Sequence, residues 1–150
     1  MPNIIINIRR NRKEVKLSEE KKLGYDNAKE SWGTPLRLGD PVPDRDFNVE
    51  FVPLLSSKIK EEAKNLEMFR AAILGKYSGQ YMAEYLLLNQ GVIPRKLRGR
   101  IFIFPGALWF NDGRLLSPSM YWDDYRRRWH LSPLRLDCDR SFDGYFVRVH

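Results

Sequence analysis

The chain has 150 residues, of which 43% are hydrophobic and 13% aromatic, so it carries enough apolar side chains for one globular core. Its 26 Lys and Arg residues exceed its 19 Asp and Glu residues, which gives a formal net charge of +7. The single cysteine, Cys138, excludes an intramolecular disulfide and a cysteine-based zinc or iron–sulfur site. No apolar run approaches the roughly 20 residues of a membrane-spanning helix, and the first residues lack the layout of a signal peptide. We therefore expect residues 1–150 to form one soluble domain in the cytoplasm.

The first third of the chain combines a basic start with an acidic segment. The β-branched run Ile4–Ile8 predicts a buried strand, and the alternation around Val15 and Leu17 predicts a second strand, so that the two form a short hairpin. Residues 24–53 contain most of the acidic surplus together with many Pro and Gly residues. That density of breakers predicts a loop-rich acidic arm, with at most a short strand over residues 47–51.

Two helices are predicted after the arm. Apolar residues recur at three- and four-residue steps over residues 55–73, which is typical of one face of an amphipathic helix. The second helix, over residues 78–90, is apolar around most of its circumference and is followed by Gly91. A helix of that kind is usually buried, so we expect it to be the central helix of the core.

From Arg100 onward, the pattern changes to alternation of period two with regular turn signals, among them Asp112-Gly113. Short strands are predicted over residues 101–104, 108–110, 114–116, 120–122, 125–131, 134–136 and 145–149. Closely spaced strands with no helix between them predict an antiparallel meander. The predicted fold is therefore α+β, with a short N-terminal β-hairpin and two core helices packed on a C-terminal antiparallel β-meander.

The most distinctive segment for function is 121–130, which interleaves three arginines with aromatic residues. If residues 125–131 form a strand, alternate side chains lie on opposite faces, and Arg126, Arg128 and His130 make a cationic stripe. Arginine binds phosphate through paired donors, and aromatic rings stack on bases. The stripe therefore predicts contact with nucleic acid.

A second basic cluster follows the second helix, and its cations are Arg95, Lys96, Arg98 and Arg100. Cations on a loop can follow a phosphate backbone without reading the base sequence. A third cluster covers residues 9–13, and the sequence leaves open whether the clusters meet on one face. It also leaves open the opposite interpretation, in which Asp123 and Asp124 pair with the arginines beside them and the charges form a solvated ion-pair ladder.

We hypothesise from these features a non-enzymatic binding module whose partner is nucleic acid or a nucleoprotein complex. No cofactor, metal ion or membrane contact is predicted, because the sequence contains no Gly-rich phosphate loop, Ser-containing elbow or His-rich metal motif. The competing hypothesis is a protein-binding inhibitor or adaptor, of the kind by which a phage or mobile element blocks a host complex. Its contact surface would use the acidic arm, at Asp40, Asp44, Asp46 and Glu50, together with Trp32, or exposed aromatic residues such as Trp109 and Tyr121.

Overall fold

The computed structural model describes residues 3–10, 29–54, 70–72, 74, 76–136 and 144–150. Within them the strands are β1 (Ile4–Ile8), β2 (Thr34–Arg37), β3 (Phe47–Pro53), β4 (Ile101–Ile103), β5 (Leu108–Asn111), β6 (Arg114–Asp123), β7 (Arg128–Arg135) and β8 (Gly144–Val149). The α-helix α1 spans Gln80–Leu88, and short 3-10 helices cover Lys29–Trp32, Gln90–Val92 and Arg95–Leu97.

All eight strands belong to one mixed sheet. β1, β3 and β8 lie side by side in antiparallel pairs, and β8 then pairs in parallel with β4. β4 and β5 follow one another along one edge of β6, and β7 pairs with the opposite edge of β6. β2 covers the outer side of β5. The sheet therefore joins the two ends of the chain, with Val49 opposite Val149.

The predicted fold of two core helices on a C-terminal antiparallel meander is wrong. Three strands from the amino-terminal third belong to the same sheet, and the β4–β8 pairing is parallel, so the strands do not follow one another as a meander. Among the described residues, α1 is the one α-helix whose two ends are defined. Of the first predicted helix, residues 70–72 and 74 are helical, and the rest lies outside the described residues. The predicted hairpin partner around Val15 also lies outside them, and β1 pairs instead with β3.

Local composition accounts for the elements that were predicted. α1 contains no β-branched residue and is rich in Leu, Met, Ala and Glu, which favour helix, whereas four of the five residues of β1 are isoleucine. Residues 29–53 of the predicted arm contain β2 and β3, and β3 extends the short strand expected over residues 47–51.

Two Ser-Pro steps that were predicted to interrupt strands instead lie inside β6 and β7. Pro118 and Pro133 face each other across the two strands. The backbone N–H and C=O of Trp129 point away from β6, so Trp122 and Trp129 do not exchange backbone hydrogen bonds. Because such pairs alternate along an antiparallel ladder, the proline pair also exchanges none. Neither proline therefore removes a ladder hydrogen bond between β6 and β7.

Side-chain alternation divides the sheet into two covered faces. On the first face, the rings of Phe102 and Trp129 stack at 4.8 Å between centroids and pack in the same cluster as Leu86 of α1. On the second face, a smaller cluster joins Phe146 of β8 to Ala72, which is one of the described helical residues. The helix predicted over residues 78–90 is present but shorter, as α1 spans Gln80–Leu88, and its inward side chains are buried in the core as expected.

Candidate nucleic-acid interface

The connection that follows α1 is fastened to the sheet by the side chain of Gln90. Its Nε2 donates to the carbonyl oxygen of Trp129 at 3.2 Å, and its Oε1 accepts the Trp129 N–H at 2.8 Å. Gln90 thus satisfies both outward backbone groups of β7 at this position, as a neighbouring strand would. Ile93 and Leu97 are buried in the main core. Together these contacts hold the basic segment that ends at Arg100 beside the β6–β7 hairpin.

Two basic segments that are distant in sequence meet at the ring of Trp122, near the end of β6. The guanidinium carbon of Arg98 lies 3.7 Å from the ring centroid, and that of Arg127 lies 5.7 Å from it. Both distances are within the range of a cation–π interaction, about 6 Å. The indole Nε1 of Trp122 donates to Asp124 Oδ1 at 3.0 Å, which fixes the ring. We call Arg95, Arg98, Trp122 and Arg127 the arginine–tryptophan cluster.

The surroundings of Arg98 within this cluster disfavour its positive charge. Desolvation lowers the pKa of Arg98, and the positive charges of Arg95 and Arg127 lower that pKa further, whereas Asp124 opposes the change. Asp124 is 3.8 Å from Arg127, but its side chain is 89% exposed, so the attraction between them is weak. The Nε of Arg98 is buried and has no hydrogen-bond partner within the described ranges. A bound anion would therefore stabilise the cationic form of Arg98.

The β6–β7 turn is organised by one carboxylate. Asp123 Oδ1 accepts the backbone N–H groups of Tyr125 at 2.9 Å and Arg126 at 3.1 Å. The hydrogen bond from the Arg126 backbone is the main reason that the pKa of Asp123 is lowered, and partial desolvation opposes it. Arg127 adopts the left-handed conformation, with φ of 56°. The turn leaves Tyr125 exposed at its tip with the side chains of Arg126 and Arg127 beside it.

The three residues of the predicted cationic stripe lie close together, but they do not form one exposed strand face, because β7 begins at Arg128 rather than at residue 125. Arg126 lies in the turn, 4.0 Å from Asp123. His130 is 1% exposed, accepts a hydrogen bond from Arg128 Nε at 3.3 Å, and lies 3.5 Å from Asp123 Oδ2. Its ring also stacks on Tyr121 at 5.7 Å. His130 is therefore a buried structural residue that a polyanion in solvent does not reach.

Of the second predicted cluster, Arg95 and Lys96 are exposed on a 3-10 turn, while Arg98 and Arg100 are half-buried. Of these, Arg98 contacts the ring of Trp122. The third predicted cluster is described only at residues 9 and 10, where the guanidinium of Arg10 lies 5.2 Å from the ring of Tyr85. The first two clusters are thus brought together through Arg98 and Arg127.

The alternative interpretation, in which acidic residues pair with the neighbouring arginines, is confirmed for two pairs. Asp123 lies beside Arg126, and Asp124 lies beside Arg127. Both contacts are long, and the two arginine side chains remain 58% and 67% exposed. These ion pairs therefore reduce the positive electrostatic potential at the turn, but the arginine side chains stay accessible to solvent.

The surface predicted for a protein partner is divided between the core and the solvent. Trp32 and Trp109 are 1% and 4% exposed and pack edge to face at 5.5 Å, so the prediction that Trp109 is exposed is wrong. The Trp109 indole donates to Gln80 Oε1 at 3.0 Å inside the core. Tyr121 is half-buried against His130. Of the acidic members, Asp40, Asp44 and Asp46 are exposed, whereas Glu50 is buried, so its prediction as a contact residue of this surface is wrong.

The charge of Glu50 is compensated by neighbouring side chains of the sheet. Glu50 of β3 is 5% exposed, accepts from Arg148 Nε and Asn3 Nδ2 at 3.0 Å each, and lies 2.7 Å from His150 Nε2. Burial raises the pKa of Glu50, but the hydrogen bonds and charges of Arg148 and His150 outweigh burial, and the net shift is downward. This group therefore links β3 to β8 and leaves no uncompensated charge for a ligand.

Trp122, Arg127 and Gln90 were not among the residues predicted from the sequence. Trp122 and Arg127 lie inside the segment identified as distinctive, but the strand predicted over residues 125–131 placed Arg127 at the edge of the core face. No sequence pattern identifies Gln90, because a glutamine whose side chain hydrogen-bonds to the edge of a strand has the same neighbours in sequence as an exposed glutamine.

Comparison with known proteins gives no match, either to a protein family or to a curated protein or solved structure. Across the described residues, no helix has the length and apolarity needed to cross a membrane. The same residues contain no group of three or more His, Cys, Asp or Glu side chains placed to hold a metal ion.

Proposed function

We propose that the chain is a non-enzymatic module that binds nucleic acid, free or within a nucleoprotein complex, through the arginine–tryptophan cluster. The observation that carries the proposal is the meeting of Arg98 and Arg127 at the ring of Trp122, with Arg95 close enough to lower the pKa of Arg98. A protein that gathers like charges at an exposed turn gains from an anion that offsets their repulsion.

An extended polyanion fits this surface better than a single small anion. The cations lie on two separate connections, the 3-10 turn with Arg95 and Lys96 and the hairpin turn with Arg126 and Arg127. Phosphates spaced along a backbone can contact both connections at once. Tyr125 is 94% exposed at the tip of the hairpin turn, where its ring is available to stack on a base.

Each group has a distinct part in the proposed contact. Trp122 holds the guanidinium of Arg98 against its ring and limits the freedom of the arginine before binding. Arg95 and Lys96 supply charge from the 3-10 turn, and Arg127 supplies it from the hairpin. His130 is left out of the contact set, because it is buried. The module thus recognises phosphate and exposed bases without a reaction step. The proposal includes the cytoplasmic location predicted from the sequence.

The test is the salt dependence of binding to a short labelled oligonucleotide, in single-stranded and duplex forms, measured by fluorescence anisotropy. Affinity should fall steeply between about 50 and 200 mM salt. The double variant Arg98→Gln/Arg127→Gln should reduce the slope of log K against log salt by about 1.4 for a single strand and about 1.8 for a duplex. The matched control is Arg45→Gln/Arg70→Gln, which removes the same charge from exposed arginines outside the cluster.

Two results would overturn the proposal. The first is the absence of binding by the unaltered chain at low salt. The second is an equal effect of the two double variants, since binding would then follow net charge rather than the cluster. A pull-down after nuclease treatment separates nucleic acid from the protein-partner alternative, because a partner that is retained without nucleic acid supports an inhibitor or adaptor.

A further inference from the structure

A cavity of about 200 Å³ lies on the part of the molecule formed by the segment before β3, the segment before α1 and the end of β8. Its described lining includes Asp40, Lys76, Ser78, Met82 and Val149. None of these residues belongs to the arginine–tryptophan cluster, so the cavity is a site distinct from the proposed nucleic-acid interface.

Close backbone contacts between glycines fix the walls of this cavity. A Cβ added to Gly79 would lie 2.4 Å from the carbonyl oxygen of Leu38, and one added to Gly106 would lie 2.3 Å from that of Tyr77. Gly39 has a φ of 83°, which suits glycine alone among common residues, and its backbone also touches Gly79. Side chains at these positions would separate the segments and deform the cavity.

Hydrogen bonds hold the same three segments together. The N–H of Ser78 donates to the carbonyl oxygen of Val147 at 2.8 Å, and the N–H of Gly106 donates to that of Ser78 at 2.9 Å. Arg37 donates through its guanidinium to the carbonyl oxygens of Gly106 and Ala72. The cavity wall is therefore part of the fixed backbone framework rather than a gap between loose side chains.

The chemistry of the lining combines opposite charges with an apolar floor. Asp40 and Lys76 have exposed side chains at its rim, while Met82 is 3% exposed and contributes the apolar floor together with Val149. Two opposite charges at the rim above an apolar floor favour a ligand that carries both charges beside an apolar group.

We propose that this cavity binds a free α-amino acid with an apolar side chain of moderate size. The carboxylate of the ligand contacts Lys76, its ammonium group faces Asp40, and its side chain packs on Met82 and Val149. The accessible volume of about 200 Å³ is many times the roughly 10–15 Å³ that one water molecule needs, so the cavity has room for a small organic ligand. Recognition of two charges and one apolar group is typical of small-molecule sites with few polar contacts.

The first experiment uses the unaltered chain and three probes, with binding followed by NMR chemical-shift titration. The probes are leucine, N-acetylleucine, which lacks the ammonium charge, and leucinamide, which lacks the carboxylate. We expect leucine to bind saturably and each of the other probes to bind about tenfold more weakly or worse, since each loses one charged contact. The proposal is overturned if leucine causes no saturable shifts, or if either altered probe binds as well as leucine.

Variants then assign the contacts. Asp40→Asn and Lys76→Gln should each weaken leucine binding about tenfold. Asp44→Asn and Arg45→Gln are the matched controls, because both residues are exposed near the cavity without lining it, and both should bind leucine as the unaltered chain does. Equal loss in the controls would contradict the assignment. Oligonucleotide binding by the Lys76 variant should be unchanged, which separates this site from the proposed function.

Discussion

Replacing Gln90 with leucine tests how the basic loop is held against the sheet. Leucine has nearly the volume of glutamine but neither donates nor accepts, so the change removes both hydrogen bonds to the backbone of Trp129. The side chain of Trp129 is 1% exposed, and among the described residues no strand other than β6 pairs with β7, so the outward backbone groups of Trp129 then lose their partner. We expect a loss of stability together with a loosened connection between α1 and β4.

The size of the effect follows from the two groups left without partners. A buried backbone group without a partner costs about 1–3 kcal/mol. Gln90 is half-buried, so water reaches part of the site and replaces some of the lost hydrogen bonding. We therefore expect Gln90→Leu to lower the free energy of unfolding by about 2–4 kcal/mol. A substitution at the exposed surface usually changes it by less than about 0.5 kcal/mol.

The assay is urea unfolding followed by tryptophan fluorescence. The midpoint should fall by about 1–2 M with an unchanged slope, since the surface exposed on unfolding is the same. The matched control is Asn111→Leu, which removes one exposed amide hydrogen bond to the Ser31 carbonyl oxygen and should shift the midpoint little. Hydrogen exchange of the Trp129 amide should accelerate in the Gln90 variant. A midpoint shift no larger than that of the control would refute the role assigned to Gln90.

Two further predictions concern the charged link between β3 and β8 and the glycine contacts at the cavity. Because the folded-state pKa of Glu50 lies below its ordinary value of 4.5, ionised Glu50 stabilises the fold above that pH, and the contribution is lost as the pH falls through the lowered pKa. Acid titration of stability should show this loss, and Glu50→Gln should flatten it; an unchanged profile would contradict the assignment. Gly79→Ala places a Cβ against the Leu38 carbonyl and should cost about 1–3 kcal/mol in thermal or urea unfolding, whereas Gly91→Ala meets nothing within 4 Å and should be neutral.

Elements with a strong local pattern were predicted well, and pairing between distant strands was not. The apolar circumference of α1 and the alternation in β8 are local properties, so residues 78–90 and 145–149 were identified from the sequence. The alignment of Val49 with Val149 depends on segments that only the folded chain brings together. The sequence pattern of a strand in the amino-terminal third does not show which other strand it pairs with. The single mixed sheet was therefore not predicted.

The residues of the candidate site were likewise predicted only where the local sequence pattern identifies them. The arginine-rich segment was identified from the sequence, but the turn held by Asp123 places the start of β7 at Arg128. Residues 125–127 therefore lie in the turn and not in a strand. Arg127 thereby reaches Trp122 instead of the core. The meeting with Arg98 depends on the Gln90 contact, which has no local sequence signature. Composition also could not show that Trp32 and Trp109 are buried against each other.

The most direct measurement of the central claim is an NMR titration of the tryptophan indole N–H signals with a short oligonucleotide. The chain contains 4 tryptophans, and Trp32 and Trp109, which are 1% and 4% exposed and pack on each other, serve as internal references. If phosphates and bases bind at the arginine–tryptophan cluster, the Trp122 indole signal shifts saturably and the signals of Trp32 and Trp109 do not. Saturable binding in which the Trp122 signal stays in place, or in which all four signals move together, would contradict the account.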